Sequence, residues 1–271
     1  MSYLSPDPDV PGAFRVAFGD TQQSWVDPSR PDFLAYEYVQ QVAIILDHTV
    51  LRAEADTRLR VVHLGGGGLT IPRWVAWRRP QTAQVVCEPN VALTDEVRRT
   101  VPLPRRSGIK VRDVDGRSGL AAMPDEWADA VVIDAFDGAR VPADLVTAEA
   151  FDEVRRVVRG QGVVILNCTD RAPFDWARRA AAAVQARWRH ALVGAEPSVH
   201  KGRRFGNLLL VGALQAPDAA GITRASAGVT GGYRWLTGRE ARRWPGGAEP
   251  FTDEDAAPSP GPGGSKLWLG G

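Results

Sequence analysis

Five short runs of β-branched and apolar residues in the middle of the chain alternate with segments of helical periodicity. The runs are RLRVVHL (58–64), AQVVCEP (83–89), GIKVRDVD (108–115), ADAVVIDAF (128–136) and GVVILNCT (162–169). Such alternation is typical of a parallel sheet, because consecutive parallel strands need a helical crossover between them. The pattern therefore predicts an α/β protein built around five parallel strands.

Two helical patterns follow the fourth and fifth runs. In residues 142–159, five apolar side chains share one helical face at spacings of three and four: Leu145, Ala148, Phe151, Val154 and Val158. Gly160 and Gly162 are expected to end this helix and to open the next strand. The second pattern, 173–190, is followed by two strand-like segments, 191–198 and 205–214.

These last two segments predict a sheet that finishes in an antiparallel hairpin. Five parallel strands and a hairpin give a doubly wound, mostly parallel seven-stranded sheet, which resembles the class I methyltransferase-like fold. A dinucleotide-binding Rossmann sheet has six parallel strands instead.

The chain is expected to divide into three parts. Residues 1–57 form a small N-terminal cap of short strands and a helix, and residues 58–215 form the sheet domain. Residues 216–271 form a C-terminal extension. Within it, 248–266 is rich in Pro, Gly, Ser and acidic residues, so this part is expected to be poorly ordered.

Charge and composition exclude several classes of function. The chain has 33 basic and 32 acidic side chains and a net charge of +1, so neither nucleic acid nor an anionic membrane is an expected partner. No apolar stretch has the roughly 18 residues that a membrane helix needs. Two cysteines, Cys87 and Cys168, are too few for a disulfide framework or a structural zinc site. A cytoplasmic protein is expected.

A glycine-rich turn, HLGGGGLTIP at 63–72, ends the first strand and precedes a helix that begins near Thr70. Glycine there allows a ligand to approach the backbone closely and tolerates positive φ. It is not a dinucleotide fingerprint, because Thr70 stands where the third glycine would be, and no Lys-Ser/Thr pair makes it a phosphate-binding P-loop. The alternative is a tight turn without a ligand. His63, inside the strand, is interpreted as a core or strand-end side chain, not as a ligand.

Acidic residues follow the second and third strands. Glu88 lies 23 positions after Gly65, where a carboxylate can accept hydrogen bonds from both ribose hydroxyls. Asp115 and Gly116 close the third strand, where a side chain can meet an adenine amino group. The alternative there is a simple Asp-Gly turn.

Two carboxylates, Asp134 and Asp137, follow the fourth strand at the carboxyl edge where open α/β sheets bind ligands. Such a pair can hold a cation or accept a proton from an amine. The alternative, a loop or helix-cap acid, applies to Asp137 and less readily to Asp134. For Asp134, directly after Val-Val-Ile, burial without a partner would be costly. No nucleophile elbow and no metal-binding spacing of histidines occur, so hydrolysis by a nucleophile and a metal site are not expected.

Together, the glycine-rich turn, Glu88, Asp115-Gly116 and VVIDAFD resemble the spermidine synthase family of polyamine aminopropyltransferases, over about residues 14–212. The resemblance implies that decarboxylated S-adenosylmethionine, or its methylthioadenosine product, is held by Gly65, Gly66, Gly67, Glu88, Asp115 and Gly116. It also implies that Asp134 is the general base and that Asp137 contacts the polyamine. A homodimer is implied in the same way.

Upstream, the resemblance implies that Gln23 and either Tyr36 or Tyr38 help to hold the nucleoside and the amine. Gln22 stands where the family has a tyrosine. Near residue 200, PSVHKGRRFGN replaces a Tyr-Pro-Ser-Gly segment, with His200 near the tyrosine position. The added cations Lys201, Arg203 and Arg204 would repel a polyamine if they faced the pocket; the alternative is a solvated loop that points away.

Three functions are therefore considered. The first is transfer of an aminopropyl group from decarboxylated S-adenosylmethionine to a small-molecule amine such as putrescine. The second is methyl transfer from S-adenosylmethionine on the same scaffold, because a fold alone does not fix the chemistry. The third is a degenerate homologue that binds a nucleoside without catalysis.

Overall fold

The computed structural model describes residues 2–19, 21–229 and 232–262. Within these ranges the strands are β1 (Leu4–Pro6), β2 (Phe14–Phe18), β3 (Thr21–Val26), β4 (Arg60–Leu64), β5 (Ala83–Cys87), β6 (Ile109–Arg112), β7 (Ala128–Ile133), β8 (Val158–Asp170), β9 (His190–Ala195), β10 (Gly206–Ala213) and β11 (Arg234–Leu236). The helices are α1 (Glu37–Asp47), α2 (Thr70–Arg78), α3 (Val91–Thr100), α4 (Gly116–Ala121), α5 (Ala148–Val157), α6 (Asp175–Arg187), α7 (Pro197–His200), α8 (Ala219–Ser226) and α9 (Gly238–Arg243). None of these helices combines the length and apolar composition needed to cross a membrane.

The central sheet has the strand order β11-β9-β10-β8-β7-β4-β5-β6. Strands β4 to β8 are parallel, and β10 runs antiparallel to both β8 and β9. The mostly parallel α/β fold and its closing hairpin are therefore confirmed. The predicted number of seven strands is wrong, because β11 pairs with β9 as an eighth strand. Its three residues are too few to show a strand pattern in the sequence.

The helix predicted over 142–159 is shorter than its apolar spacing indicated. Thr147 caps α5, since its hydroxyl accepts a hydrogen bond of 3.0 Å from the amide of Ala150. Strand β8 begins at Val158, before both glycines, and its pairing with β7 is irregular there. A Cβ at Gly162 would lie 2.7 Å from the carbonyl oxygen of Asp129, so this glycine permits the close approach of the two strands.

Two apolar clusters cover the two faces of the central sheet. Side chains of β4 alternate between them: Val62 and Leu64 pack on the face that carries α5 and α6, and Val61 packs on the face that carries α1 and α2. Fully buried Ile45 of α1 belongs to the second cluster. This alternation directs every second residue at the strand ends toward α1.

The N-terminal strands β1–β3 form a separate antiparallel sheet. Val16 and Val26 of this sheet pack against Leu69, directly after the glycine-rich turn, and against Leu93 of α3. The sheet therefore lies over the carboxyl ends of β4 and β5.

The C-terminal segment is more closely packed than its composition predicted. Phe251 is buried, Ser259 is fully buried, and Trp176 of α6 donates a hydrogen bond of 2.7 Å to the carbonyl of Ala257. The expectation of poor order over 248–266 is therefore wrong for the described part. A few buried side chains and backbone hydrogen bonds are enough to hold it on the domain. The rest of that segment, from 263 on, lies outside the described residues.

Candidate active site

A cleft opens at the carboxyl ends of β4, β5 and β7, between the central sheet and β3. Its polar lining consists of Gln23, Ser24, Tyr38, His63, Thr70, Glu88 and Asp134, together with the backbone of Gly65, Gly66 and Gly67. Seven of the residues singled out in the sequence for binding or catalysis thus meet here: Gln23, Tyr38, Gly65, Gly66, Gly67, Glu88 and Asp134.

The glycine-rich turn brings three strand ends together. Gly65 donates a hydrogen bond of 2.9 Å to the carbonyl of Cys87, and its φ is +97°. A Cβ at Gly65 would lie 2.3 Å from the carbonyl oxygen of Asp134. Only glycine allows this contact between the end of β4 and the residue that follows β7.

Glu88 faces the turn from the end of β5. Its Oε2 accepts a hydrogen bond of 2.9 Å from the amide of Gly66, and its Oε1 accepts one of 2.9 Å from the amide of Asn90. These two bonds fix the carboxylate, while each oxygen keeps a lone pair for a further donor. The arrangement suits two adjacent hydroxyl groups of a ligand.

Asp134 is the second carboxylate in the cleft. Its Oδ1 accepts a hydrogen bond of 2.8 Å from Nδ2 of Asn167, and its Oδ2 lies 3.5 Å from the hydroxyl of Tyr38. Burial raises the pKa of Asp134 above its ordinary value, and the hydrogen bonds from Asn167 and Tyr38 oppose that shift. Burial also raises the pKa of Tyr38, so its hydroxyl remains a donor. Asp134 thus has the environment of a proton acceptor.

Asn167 was not singled out in the sequence. It lies on β8 with 1% of its surface exposed. The available signal was an amide within the apolar run GVVILNCT, since a buried amide needs hydrogen-bond partners.

The N-terminal sheet closes one side of the cleft. Ser24 Oγ lies 3.1 Å from Oγ1 of Thr70, and the Thr70 hydroxyl donates a hydrogen bond of 2.6 Å to the carbonyl of Trp25. Gln23 donates from Nε2 to the carbonyl of Gly138, in the loop after β7. Strand β3 is thereby tied both to the start of α2 and to the loop that follows Asp134.

No family model and no curated protein matches the chain. Among solved structures, a probable spermidine synthase from Corynebacterium glutamicum superimposes with a TM-score of 0.86 at 26% identity, covering 98% of this chain and 95% of that one. The resemblance to spermidine synthases is therefore confirmed.

Two more distant structures share the fold. A spermidine synthase in complex with the transition-state analogue AdoDATO has a TM-score of 0.57 at 13% identity, covering 84% of this chain and 75% of that one. Human methyltransferase-like protein 13 in complex with SAH has a TM-score of 0.55 at 16% identity, covering 81% and 96%. The class I methyltransferase-like fold is thus common to both groups.

Four residues that the spermidine synthase resemblance implied do not line the cleft. Asp137 is exposed in the loop after β7. Tyr36 stacks on Tyr38 with ring centroids 6.1 Å apart, and burial raises its pKa to about 12. Tyr38, not Tyr36, is therefore the tyrosine at the cleft.

The other two are Asp115 and Gly116, which form the start of α4 instead of a simple Asp-Gly turn. Asp115 caps α4 by accepting hydrogen bonds from the amide (2.8 Å) and the hydroxyl (2.7 Å) of Ser118, and these bonds lower its pKa. A Cβ at Gly116 would lie 2.7 Å from Leu145, so this glycine serves packing of α4.

The cationic loop does not face the cleft. Lys201, Arg203 and Arg204 are exposed and absent from the cleft lining, and Arg204 pairs with Glu196. This arrangement matches a solvated loop. In the described ranges, no cluster of three or more His, Cys, Asp or Glu side chains is placed to hold a metal ion.

Proposed function

We propose that this chain is an aminopropyltransferase, which transfers an aminopropyl group from decarboxylated S-adenosylmethionine to a small amine such as putrescine. The observation that carries the proposal is the placement of Asp134. A half-buried carboxylate, oriented by Asn167 and within 3.5 Å of the Tyr38 hydroxyl, lies beside a glycine-rich turn in the cleft at the carboxyl ends of the strands. The likeness to a probable spermidine synthase over nearly the whole chain supports the same reaction class.

Glu88 and the glycine-rich turn are the proposed nucleoside site. The fixed Glu88 carboxylate accepts hydrogen bonds from the two ribose hydroxyls, and Gly65, Gly66 and Gly67 let the nucleoside lie against the backbone. AdoDATO and SAH, which two structures of this fold bind, carry the same type of nucleoside. The sulfonium then lies between this turn and Asp134.

Asp134 removes one proton from the primary ammonium of the acceptor. The freed nitrogen lone pair attacks the methylene carbon beside the sulfonium. The carbon–sulfur bond breaks with its electron pair going to sulfur, which leaves as neutral methylthioadenosine. The protein contributes mainly alignment and removal of this proton.

The test is incubation of the purified protein with decarboxylated S-adenosylmethionine and a panel of amines, with mass spectrometry of the products. We expect methylthioadenosine and an amine heavier by one aminopropyl group, in equal amounts. Asp134→Asn serves as the control and should form both products at least about 100-fold more slowly.

Two results would overturn the proposal. A methylated product from S-adenosylmethionine, with no reaction of the decarboxylated donor, would assign the cleft to methyl transfer. Binding of methylthioadenosine without turnover of any amine would assign it to a degenerate nucleoside-binding protein.

A further inference from the structure

His63, which its position inside β4 suggested was a core residue, lines the cleft. It pairs in parallel register with Val132 of β7, two residues before Asp134. Side chains two residues apart on a strand share a face, so His63 lies on the same face as Asp134, about 7 Å away along the strand direction. Only 2% of its surface is exposed. It therefore forms the floor of the cleft beneath Asp134.

A chain of hydrogen bonds fixes the tautomer of His63. Gln84 donates from Nε2 to the carbonyl of Pro72 (3.0 Å), which can only accept. Oε1 of Gln84 therefore faces His63 Nε2, 2.9 Å away, and Nε2 must carry the proton. The other ring nitrogen, Nδ1, is then an acceptor, and no partner for it occurs among the described residues.

The surroundings keep this imidazole neutral. Burial lowers the pKa of His63 to about 4. The nearby lining side chains of Val39, Ile71 and Val132 are apolar. No lysine or arginine lines the cleft in the described part of the chain. The floor of the cleft thus presents one carboxylate and one neutral acceptor in an apolar wall.

We propose that Nδ1 of His63 accepts a hydrogen bond from the terminal ammonium of the donor's three-carbon arm, which makes His63 a specificity-determining residue for the donor. This inference rests on the proposed function. With the nucleoside at Glu88 and the sulfonium beside Asp134, an arm that runs down the same face of the sheet ends at His63. An ammonium there meets an acceptor lone pair and the field of Asp134.

The same geometry disfavours a carboxylate on that arm. In S-adenosylmethionine the arm carries a carboxylate as well as an ammonium. At this floor the carboxylate would face the lone pair of His63 and the charge of Asp134 without a cationic side chain to pair with. The cleft should therefore prefer the decarboxylated donor.

The experiment compares two ligands in each variant by calorimetric titration. Methylthioadenosine has the nucleoside but neither the arm nor the sulfonium charge, so the ratio of its Kd to that of decarboxylated S-adenosylmethionine measures recognition of these two features. Because His63→Leu leaves the Asp134 side chain near the sulfonium unchanged, a change of the ratio in this variant reports on the arm. This ratio does not depend on the fraction of protein that is folded. We expect His63→Leu to lower the ratio about tenfold, or about 1.4 kcal/mol, with the Kd of methylthioadenosine unchanged.

Two further variants complete the experiment. His63→Gln keeps an acceptor oxygen on a flexible chain, so the ratio of the two Kd values should fall less than in His63→Leu. This variant also replaces His63→Leu in the experiment if the leucine variant does not fold. His190→Leu removes a histidine on β9, away from the cleft lining, and should change neither Kd.

The outcomes separate the inference from the proposed function. An unchanged ratio in His63→Leu and His63→Gln, or an equal loss of both ligands, would overturn the role of His63 alone. A wild-type protein that binds neither ligand would overturn the proposed function and this inference with it.

Discussion

Asn167 donates a hydrogen bond of 2.8 Å from Nδ2 to Oδ1 of Asp134, although the two residues are 33 positions apart. The strands that precede and contain them, β7 and β8, are direct neighbours in the sheet. Oδ1 of Asn167 is buried without a partner among the described residues. The hydrogen bond to Asp134 is therefore the contact that orients the Asn167 amide. In turn, this hydrogen bond stabilises the ionised form of Asp134.

The first prediction concerns the pH dependence that this contact controls. Asn167→Leu removes a donor that lowers the pKa of Asp134, so burial should raise that pKa further. Activity requires the ionised base, so the acid limb of kcat/KM should move to higher pH. Asn207→Leu, an equivalent change on the neighbouring strand β10, should leave the limb in place. An acid limb that is the same in wild type and Asn167→Leu would contradict the role of the contact.

Substitutions of the two carboxylates after β7, Asp134 and Asp137, should have different effects on catalysis. Asp134→Asn keeps the shape of the side chain and removes the base, so kcat should fall by at least about 100-fold. The affinity for methylthioadenosine should stay nearly constant. Asp137→Asn changes an exposed side chain outside the cleft lining and should leave kcat and the KM of the amine near their wild-type values. Steady-state kinetics and calorimetry on both variants make the comparison, and a loss of nucleoside binding in Asp134→Asn would make Asp134 a folding or binding residue.

The sequence predicted the elements whose signal is local. Five β-branched runs and their helical crossovers define β4 to β8, and the glycines before Thr70 define the turn. Glu88 and Asp134 were recognisable because parallel strands place their carboxyl ends at one edge. This rule needs only the position of each residue within its strand.

The missed features depend on contacts between distant segments. Asn167 belongs to the site only because β8 lies next to β7, and His63 reaches the cleft only because its partner is Val132. Glu88 directly follows β5, whereas Asp115 lies three residues after the end of β6, where a serine three residues later makes it a helix cap. Position near a strand end does not distinguish a ligand-binding acid from a capping one.

Alanine substitutions at two glycines of the turn should separate the energetic cost of a positive φ from the cost of a steric clash. In Gly65→Ala, the new Cβ would meet the carbonyl of Asp134 at 2.3 Å at a φ of +97°, so the protein should be strongly destabilised. Gly67→Ala also has a positive φ, +47°, but its nearest atom is Ser24 Cβ at 3.3 Å. We expect a clearly smaller loss of unfolding free energy in Gly67→Ala, measured by urea denaturation. Equal losses would show that the contact with Asp134 is not the cause.

Glu88→Ala should weaken nucleoside binding and spare the proton transfer step. The variant removes the acceptor proposed for two ribose hydroxyls, so the binding free energy of methylthioadenosine should fall by about 1–3 kcal/mol. With saturating donor, kcat should change much less than the Kd. Asp95→Ala, an exposed acid on the following helix, is the matched control for loss of a negative charge. Unchanged affinity in Glu88→Ala would remove Glu88 from the site.

The last prediction concerns how the C-terminal segment supports the loop after β7. Ser259 is fully buried; its amide donates a hydrogen bond of 3.1 Å to the carbonyl of Val141, and its Oγ accepts one of 2.9 Å from the amide of Val141. Ser259→Ala would leave that buried amide without a partner, which costs about 1–3 kcal/mol of unfolding free energy. Urea denaturation should detect the loss. Thr252→Ala, which removes an exposed hydroxyl from the same segment, should stay within about 0.5 kcal/mol of wild type. If both variants were equally stable, the contact between Ser259 and Val141 would not hold the segment on the loop.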